Sequence, residues 1–203
     1  MSSRDQILSR IRAATADAPE PAPVERDYAI AHGSAEHAVD LLAEHLADYR
    51  AHVHRCGSET ELASIIAGLM TGTRLVVPSG LPDAWLPTGV ECLWDEPLLT
   101  PTELDTADAV LTGCAVAIAE TGTLVLDGGP GQGRRALTLI PDQHICVVRV
   151  PSDVVLSLPQ SLGRLDPTRP LTWVSGPSAT SDIELDRVEG VHGPRRLDVI
   201  LLG

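Results

Sequence analysis

The sequence predicts an α/β protein built on a mostly parallel sheet. Between residues 34 and 94, short apolar runs alternate with helix-patterned stretches. That β-α-β-α-β order implies a parallel sheet with helices on both faces, joined by right-handed crossovers. Further on, residues 144–150, 171–174 and 197–202 are continuous apolar runs that read as buried strands. A chain of 203 residues is long enough for one domain with a full core. Its 43% apolar and 21% charged residues are ordinary for a globular protein.

In chain order, Ser3 with Gln6 forms a capping-box pattern that opens a short amphipathic helix carrying Ile7, Leu8 and Ile11. Residues 1–16 read as a helical arm. Residues 17–33 begin with alternating prolines (19, 21, 23) among acids and read as an extended linker. The α/β domain is then expected over 34–203. Ser34 starts a helix with Ala38, Leu41, Leu42, His45, Leu46 and Tyr49 at helical spacing. Residues 51–56 form a strand. Ser58 with Glu61 is a second capping box, opening a helix to about Thr71. Leu75–Val77 and Val90–Trp94 are strands, the first stopped by Pro78. Asp108–Leu111 starts a strand that residues 115–119 and 123–126 continue around a Glu-Thr-Gly turn. Residues 137–140 form a helical turn, and residues 152–162 a helix limited by Pro159.

Composition excludes several chemistries. A net charge of −13 argues against nucleic acid or an anionic membrane as main partner, since both need a basic footprint. All fifteen basic residues are arginine. Schiff-base catalysis, pyridoxal-phosphate attachment and a P-loop lysine are therefore excluded. Cys56, Cys92, Cys114 and Cys146 have neither Cys-x-x-Cys nor iron–sulfur spacing. The last three lie in apolar runs and read as small buried hydrophobes. The N-terminus has no apolar signal region, and no run is long enough to span a bilayer. A cytoplasmic protein without membrane insertion is expected. No motif binds a cofactor or a metal visibly, so neither is expected.

Four segments could carry chemistry. Glu120, at a bend beside Thr121, Gly122 and Thr123, is a candidate nucleophile or general base, or a carboxylate that only shapes its turn. The loop 128–135 contains Gly129, Gly131, Arg134 and Arg135. Its glycine amides would cradle an anion and its arginines clamp a carboxylate or phosphate. The run 175–184 follows a strand, where open α/β sheets place ligands. It offers Ser175, Gly176, Ser178, Thr180, Asp182 and Glu184. His192, before Gly193, is a candidate acid or base. The Gly-Pro pairs 129–130, 176–177 and 193–194 are expected to gather at one rim of the sheet, which requires the 197–202 strand to run antiparallel to its neighbours.

The order of Glu120-Thr121-Gly122-Thr123, Ser175-Gly176-Pro177-Ser178-Ala179-Thr180-Ser181-Asp182-Ile183-Glu184 and Gly190-Val191-His192-Gly193-Pro194 resembles the LUD domain family, in its lactate-utilization branch, from about Asp108 onward. The resemblance implies a three-layer α/β/α sandwich with a mostly parallel, mixed sheet, like that of ribose-5-phosphate isomerase, glucosamine-phosphate deaminase and the CoA transferases. It also implies the cluster-free member of a set of proteins that oxidises L-lactate to pyruvate alongside iron–sulfur lactate-utilization partners. In the CoA transferases a strand-end glutamate is the acyl-accepting nucleophile, a context similar to that of Glu120. Family members often carry a basic residue where this chain has Ala179. Any anion-binding role of that residue then falls to Arg134, Arg135, Arg195 or Arg196.

Three functions are consistent with these residues. The first is a non-redox component of L-lactate oxidation with a small anionic ligand. The second is an acyl- or CoA-transferring enzyme using Glu120. The third is an interaction module whose loops and arm only dock partners.

Overall fold

The computed structural model describes residues 2–19, 22–30, 34–177, 179–180, 188–189 and 193–203. Six strands form one sheet: β1 (His52–Cys56), β2 (Arg74–Val77), β3 (Glu91–Trp94), β4 (Ala109–Thr112), β7 (Gln143–Arg149) and β12 (Arg196–Leu202). Their order is β1-β12-β7-β4-β2-β3, and every pair is parallel. The α/β class and the parallel sheet are as the sequence predicts.

The structure departs from expectation in a second, four-stranded sheet. Residues 115–126 do not continue β4. They form β5 (Val116–Ile118) and β6 (Thr123–Leu126), which pair antiparallel with each other. With β8 (Val154–Val155) and β9 (Thr172–Val174) they make the order β8-β5-β6-β9. The strand at 171–174 is thus an edge strand of this sheet rather than a buried strand of the first, and Trp173 is 41% exposed. A further two-stranded pair joins β10 (Ala179–Thr180) to β11 (Val188–Glu189).

Side-chain alternation along the strands divides the core into layers. On one face of the large sheet, Ile145, Val147, Ile200 and Leu202 pack against Leu62 and Ile66 of α3 (Glu59–Leu69) and against Trp85. On the other, Cys146, Val148, Leu197, Val199 and Leu201 meet two partners. One is α2 (Ala38–Asp48), through Leu42 and Leu46; the other is the second sheet, through Ala117 and Leu124. Val76 and Val110 share this second face, with Leu104 of α4 (Pro101–Asp105) and Leu137. Each fully buried Leu or Ile contributes about 1.5–3 kcal/mol relative to exposure.

Several local expectations are corrected. The N-terminal capping box is Ser2 with Asp5, one residue before the predicted pair, and it starts α1 (Ser3–Ala14). Ser34 caps a 3-10 turn, Ala35–His37, and α2 begins after it. Ser58 precedes α3, but its hydroxyl meets Thr60 Oγ1 at 3.0 Å instead of a helix amide. The turn after the glycine loop is 3-10 over Arg135–Thr138. Residues 152–162 divide into β8 and α5 (Leu158–Leu162). Pro159 opens α5, where its missing N–H is not needed, instead of limiting a longer helix.

Cys146 is buried as expected, whereas Cys92 and Cys114 are only half-buried by surface area. The Cys114 thiol is pushed well up by its hydrogen bond with Cys146 and by burial, which makes it a poor nucleophile. Among the described residues, no helix is long and apolar enough to cross a membrane.

Candidate functional site

Two neighbouring clefts collect half of the predicted site residues that the structure describes: Arg135, Ser175, Gly176 and Gly193 in one, Gly129 and Arg134 in the other. The first, of about 240 Å³, lies between the two sheets. Its walls include Arg135, Thr138 and His144, the segment from Thr172 to Pro177, then Gly193, Pro194 and Leu197. Gly193 and Pro194 precede β12, which runs parallel to β7, not antiparallel as a single common rim requires. They still reach Gly176 and Pro177, because those follow β9 of the second sheet, packed over the large sheet's face. The second cleft is open, about 760 Å³, and lies beyond the carboxyl ends of β2 and β3. It holds the third Gly-Pro pair, Gly129-Pro130. The three pairs are therefore divided two to one between adjacent clefts. A small cavity lined by Arg134, Arg135, Thr138 and Thr172 lies between them.

Three amides of the glycine loop are engaged within the protein. The Gly129 N–H donates to Asp127 Oδ1 at 2.9 Å, and the Gly131 N–H to the Ser79 carbonyl at 2.8 Å. The Gln132 N–H turns back to the Gly129 carbonyl at 3.1 Å. These bonds fix the loop over the ends of the parallel strands. The second cleft also sets three carboxylates (Asp95, Glu96, Asp127) against two guanidiniums (Arg134, Arg169). Its balance does not favour an anion.

Of the four arginines expected to replace a basic residue at position 179, three are paired. Arg134 binds Asp95 through Nε and Nη2, at 2.9 and 3.0 Å. Arg195 lies 3.6 Å from Asp142. Arg196 grips Asp198 at 2.7 and 2.9 Å. Arg135 has no carboxylate partner among the described residues, is exposed, and lines the first cleft. A guanidinium in that position can take a ligand carboxylate bidentately.

Thr121, Thr123 and Ser175 are joined by hydroxyls. Thr121 Oγ1 donates to Thr123 Oγ1 at 2.8 Å, and Thr123 Oγ1 lies 2.8 Å from Ser175 Oγ. Only Ser175 of the three lines the first cleft. Glu120 sits in the 3-10 turn Ala119–Thr121, half-buried, with its N–H on the Leu156 carbonyl at 3.0 Å. It lines neither cleft.

Gly122 and Gly176 make close approaches to the C-terminal end of α2. A Cβ on Gly122 (φ +56°) would lie 2.7 Å from the His45 carbonyl carbon. One on Gly176 (φ +82°) would lie 2.3 Å from the Tyr49 oxygen. Both glycines are thus required for packing, with Gly176 also in the cleft wall. His45 anchors the same region, its Nδ1 lying 2.8 Å from the Ala119 carbonyl. Thr180 belongs to β10. Ser178, Asp182, Glu184 and His192 lie outside the described residues.

Sequence reading missed His144. It is the second residue of β7, is 1% exposed, and lines the first cleft. Its Nε2 lies 2.7 Å from Thr112 Oγ1, and burial pushes its pKa down to about 4. The available signal was a histidine beginning an otherwise apolar run. Reading that run only as core concealed it.

Comparison with known proteins agrees with the motif pattern. The LUD domain profile matches residues 100–202. A lactate utilization protein C from Deinococcus radiodurans is 57% identical over 151 residues, covering 72% of this chain and 71% of that protein. Another from Exiguobacterium sp. is 33% identical over 132 residues, covering 59% and 56%. A crystal structure of a DUF162 family protein from Deinococcus radiodurans superposes with a TM-score of 0.72 at 45% identity, covering 85% of this chain and 100% of that one. The chain belongs to the LUD domain family.

Proposed function

We propose that this chain serves in L-lactate utilization as a non-redox component that binds a small carboxylate in the cleft between its two sheets. The observation that carries this reading is Arg135, the one arginine of the four candidates left without a carboxylate partner among the described residues, in the wall of a cleft of about 240 Å³. That volume is below the roughly 300–1,000 Å³ typical of sites for drug-sized ligands. It suits a molecule the size of lactate or pyruvate better than a CoA thioester. Relatives named lactate utilization protein C support the pathway.

In this reading Arg135 holds the ligand carboxylate and Ser175 supplies a hydroxyl beside it. In the same reading the protein works beside iron–sulfur partners in the cytoplasm. The chain itself moves no electrons; it positions or relays the small acid.

Thermal-shift measurements with L-lactate and pyruvate test this directly. A ligand at 100 times its dissociation constant stabilises the fold by about 2.7 kcal/mol. The expected result is a shift in the wild type that disappears in Arg135→Ala. A shift retained in that variant would place the ligand elsewhere, and no shift with either acid would remove the carboxylate site.

A further inference from the structure

If Arg135 takes a ligand's carboxylate, one polar group in the same cleft is still unexplained. His144 is 1% exposed and forms part of the wall. Its Nε2 is satisfied by Thr112, itself fully buried, at 2.7 Å. Its Nδ1 has no partner among the described residues. Native interiors rarely leave a buried ring nitrogen unpaired, because its lost hydration is not replaced. In the wall of a cleft, a ligand atom can supply the missing partner.

The chemistry of that atom follows from the charge state. With its pKa near 4, the ring is neutral at neutral pH and offers one donor and one acceptor. A neutral imidazole pairs well with an uncharged hydroxyl or keto oxygen, whereas a carboxylate is better served by the guanidinium of Arg135. Arg135 and His144 line the same cleft of about 240 Å³, where one small ligand can meet both side chains.

We propose that His144 recognises the oxygen on the carbon next to the ligand's carboxylate, so that the cleft selects 2-hydroxy and 2-oxo acids over the unsubstituted acid. This rests on the carboxylate-binding reading above and adds a specificity-determining residue to it. The two tautomers differ in consequence. If the Thr112 hydroxyl donates to Nε2, then Nδ1–H donates to the ligand and serves hydroxyl and keto oxygens alike. If Nε2–H donates to Thr112, then Nδ1 accepts, and only a hydroxyl satisfies it. A ligand without the oxygen leaves the buried nitrogen unpaired, which is how polar sites reject analogues that lack a hydrogen-bonding group.

Calorimetric titration of the full chain with L-lactate, pyruvate and propionate is the test, using wild type, Arg135→Ala, His144→Phe and His144→Asn. The wild type is expected to bind L-lactate at least tenfold more tightly than propionate. His144→Phe should bind both with the propionate affinity, and His144→Asn should restore part of the preference. In the wild type, ¹⁵N shifts of the His144 ring should move with lactate and not with propionate, a readout that stands even if His144→Phe does not fold. Equal affinity of the wild type for lactate and propionate, or a preference unchanged in His144→Phe, overturns the role of His144. If Arg135→Ala abolishes both in that case, the carboxylate site survives. Binding of none of the three acids by the wild type overturns both.

Discussion

Asp95 and Arg134 form a bidentate pair, with Nε to Oδ2 at 2.9 Å and Nη2 to Oδ1 at 3.0 Å. The Leu99 backbone closes the arrangement, its N–H donating to Asp95 at 2.9 Å and its carbonyl accepting from Arg134. Hydrogen bonding to Asp95 holds the Arg134 guanidinium above its usual pKa. Two adjacent arginines therefore have different roles: Arg134 binds the loop to the end of β3, and Arg135 faces the cleft.

That division predicts opposite phenotypes. Arg134→Ala leaves Asp95, 8% exposed, without its counter-charge. Removing one partner of a buried pair costs about 3–5 kcal/mol; with Arg134 about one-third exposed, we expect about 2 kcal/mol. Arg135→Ala, at the surface, should change stability by less than about 0.5 kcal/mol and instead weaken ligand binding. Chemical denaturation and titration of both variants check this.

Gly176→Ala should destabilise the fold by about 2 kcal/mol or more. The new Cβ would meet the Tyr49 oxygen at 2.3 Å, in a backbone conformation that disfavours any side chain. Because Pro177 lines the cleft, the same variant should also weaken ligand binding. A thermal melt within a degree of wild type would show that the β9 end can move away from α2 at little cost.

The parallel sheet was legible because Leu75–Val77, residues 144–150 and residues 197–202 are apolar runs with room for crossovers between them. The second sheet was not. Val116–Ile118 and Thr123–Leu126 are as apolar as β4, and nothing local tells which sheet an apolar strand joins. The two residues of β8 carry no periodicity at all. The candidate loops were legible from their glycines and hydroxyls. Their partners were not: Asp95 is 39 residues from Arg134, and Thr112 is 32 from His144.

Removing residues 1–16 should leave stability unchanged within about 0.5 kcal/mol. α1 contributes no buried residue, and Ile7 and Ile11 are 58% and 53% exposed. The cut must stop short of Ile30, whose carbonyl accepts from Ser157 Oγ and so ties the linker's end to the body. A truncated chain that melts well below the full one would mean that the arm packs on the domain.

The buried His144 makes stability depend on pH in a defined window. Unfolded, its pKa is 6.5; folded, burial lowers it to about 4. Between those values the unfolded chain binds a proton that the folded one does not. Stability therefore falls as pH drops from about 6.5 to about 4, by about 3 kcal/mol at 1.36 kcal/mol per unit, and is indifferent to this group above 6.5. Asp198 acts lower. Burial would raise its carboxyl, but hydrogen bonds from Arg196, Gln143 and His54 outweigh that and hold it below the usual range. Its contribution is present above about 3.9 and is lost as pH falls through its folded value. Denaturant titrations at intervals from pH 8 to pH 4 should show the His144 slope in wild type and its absence in His144→Phe. An equal slope in both would assign the acid sensitivity to other groups.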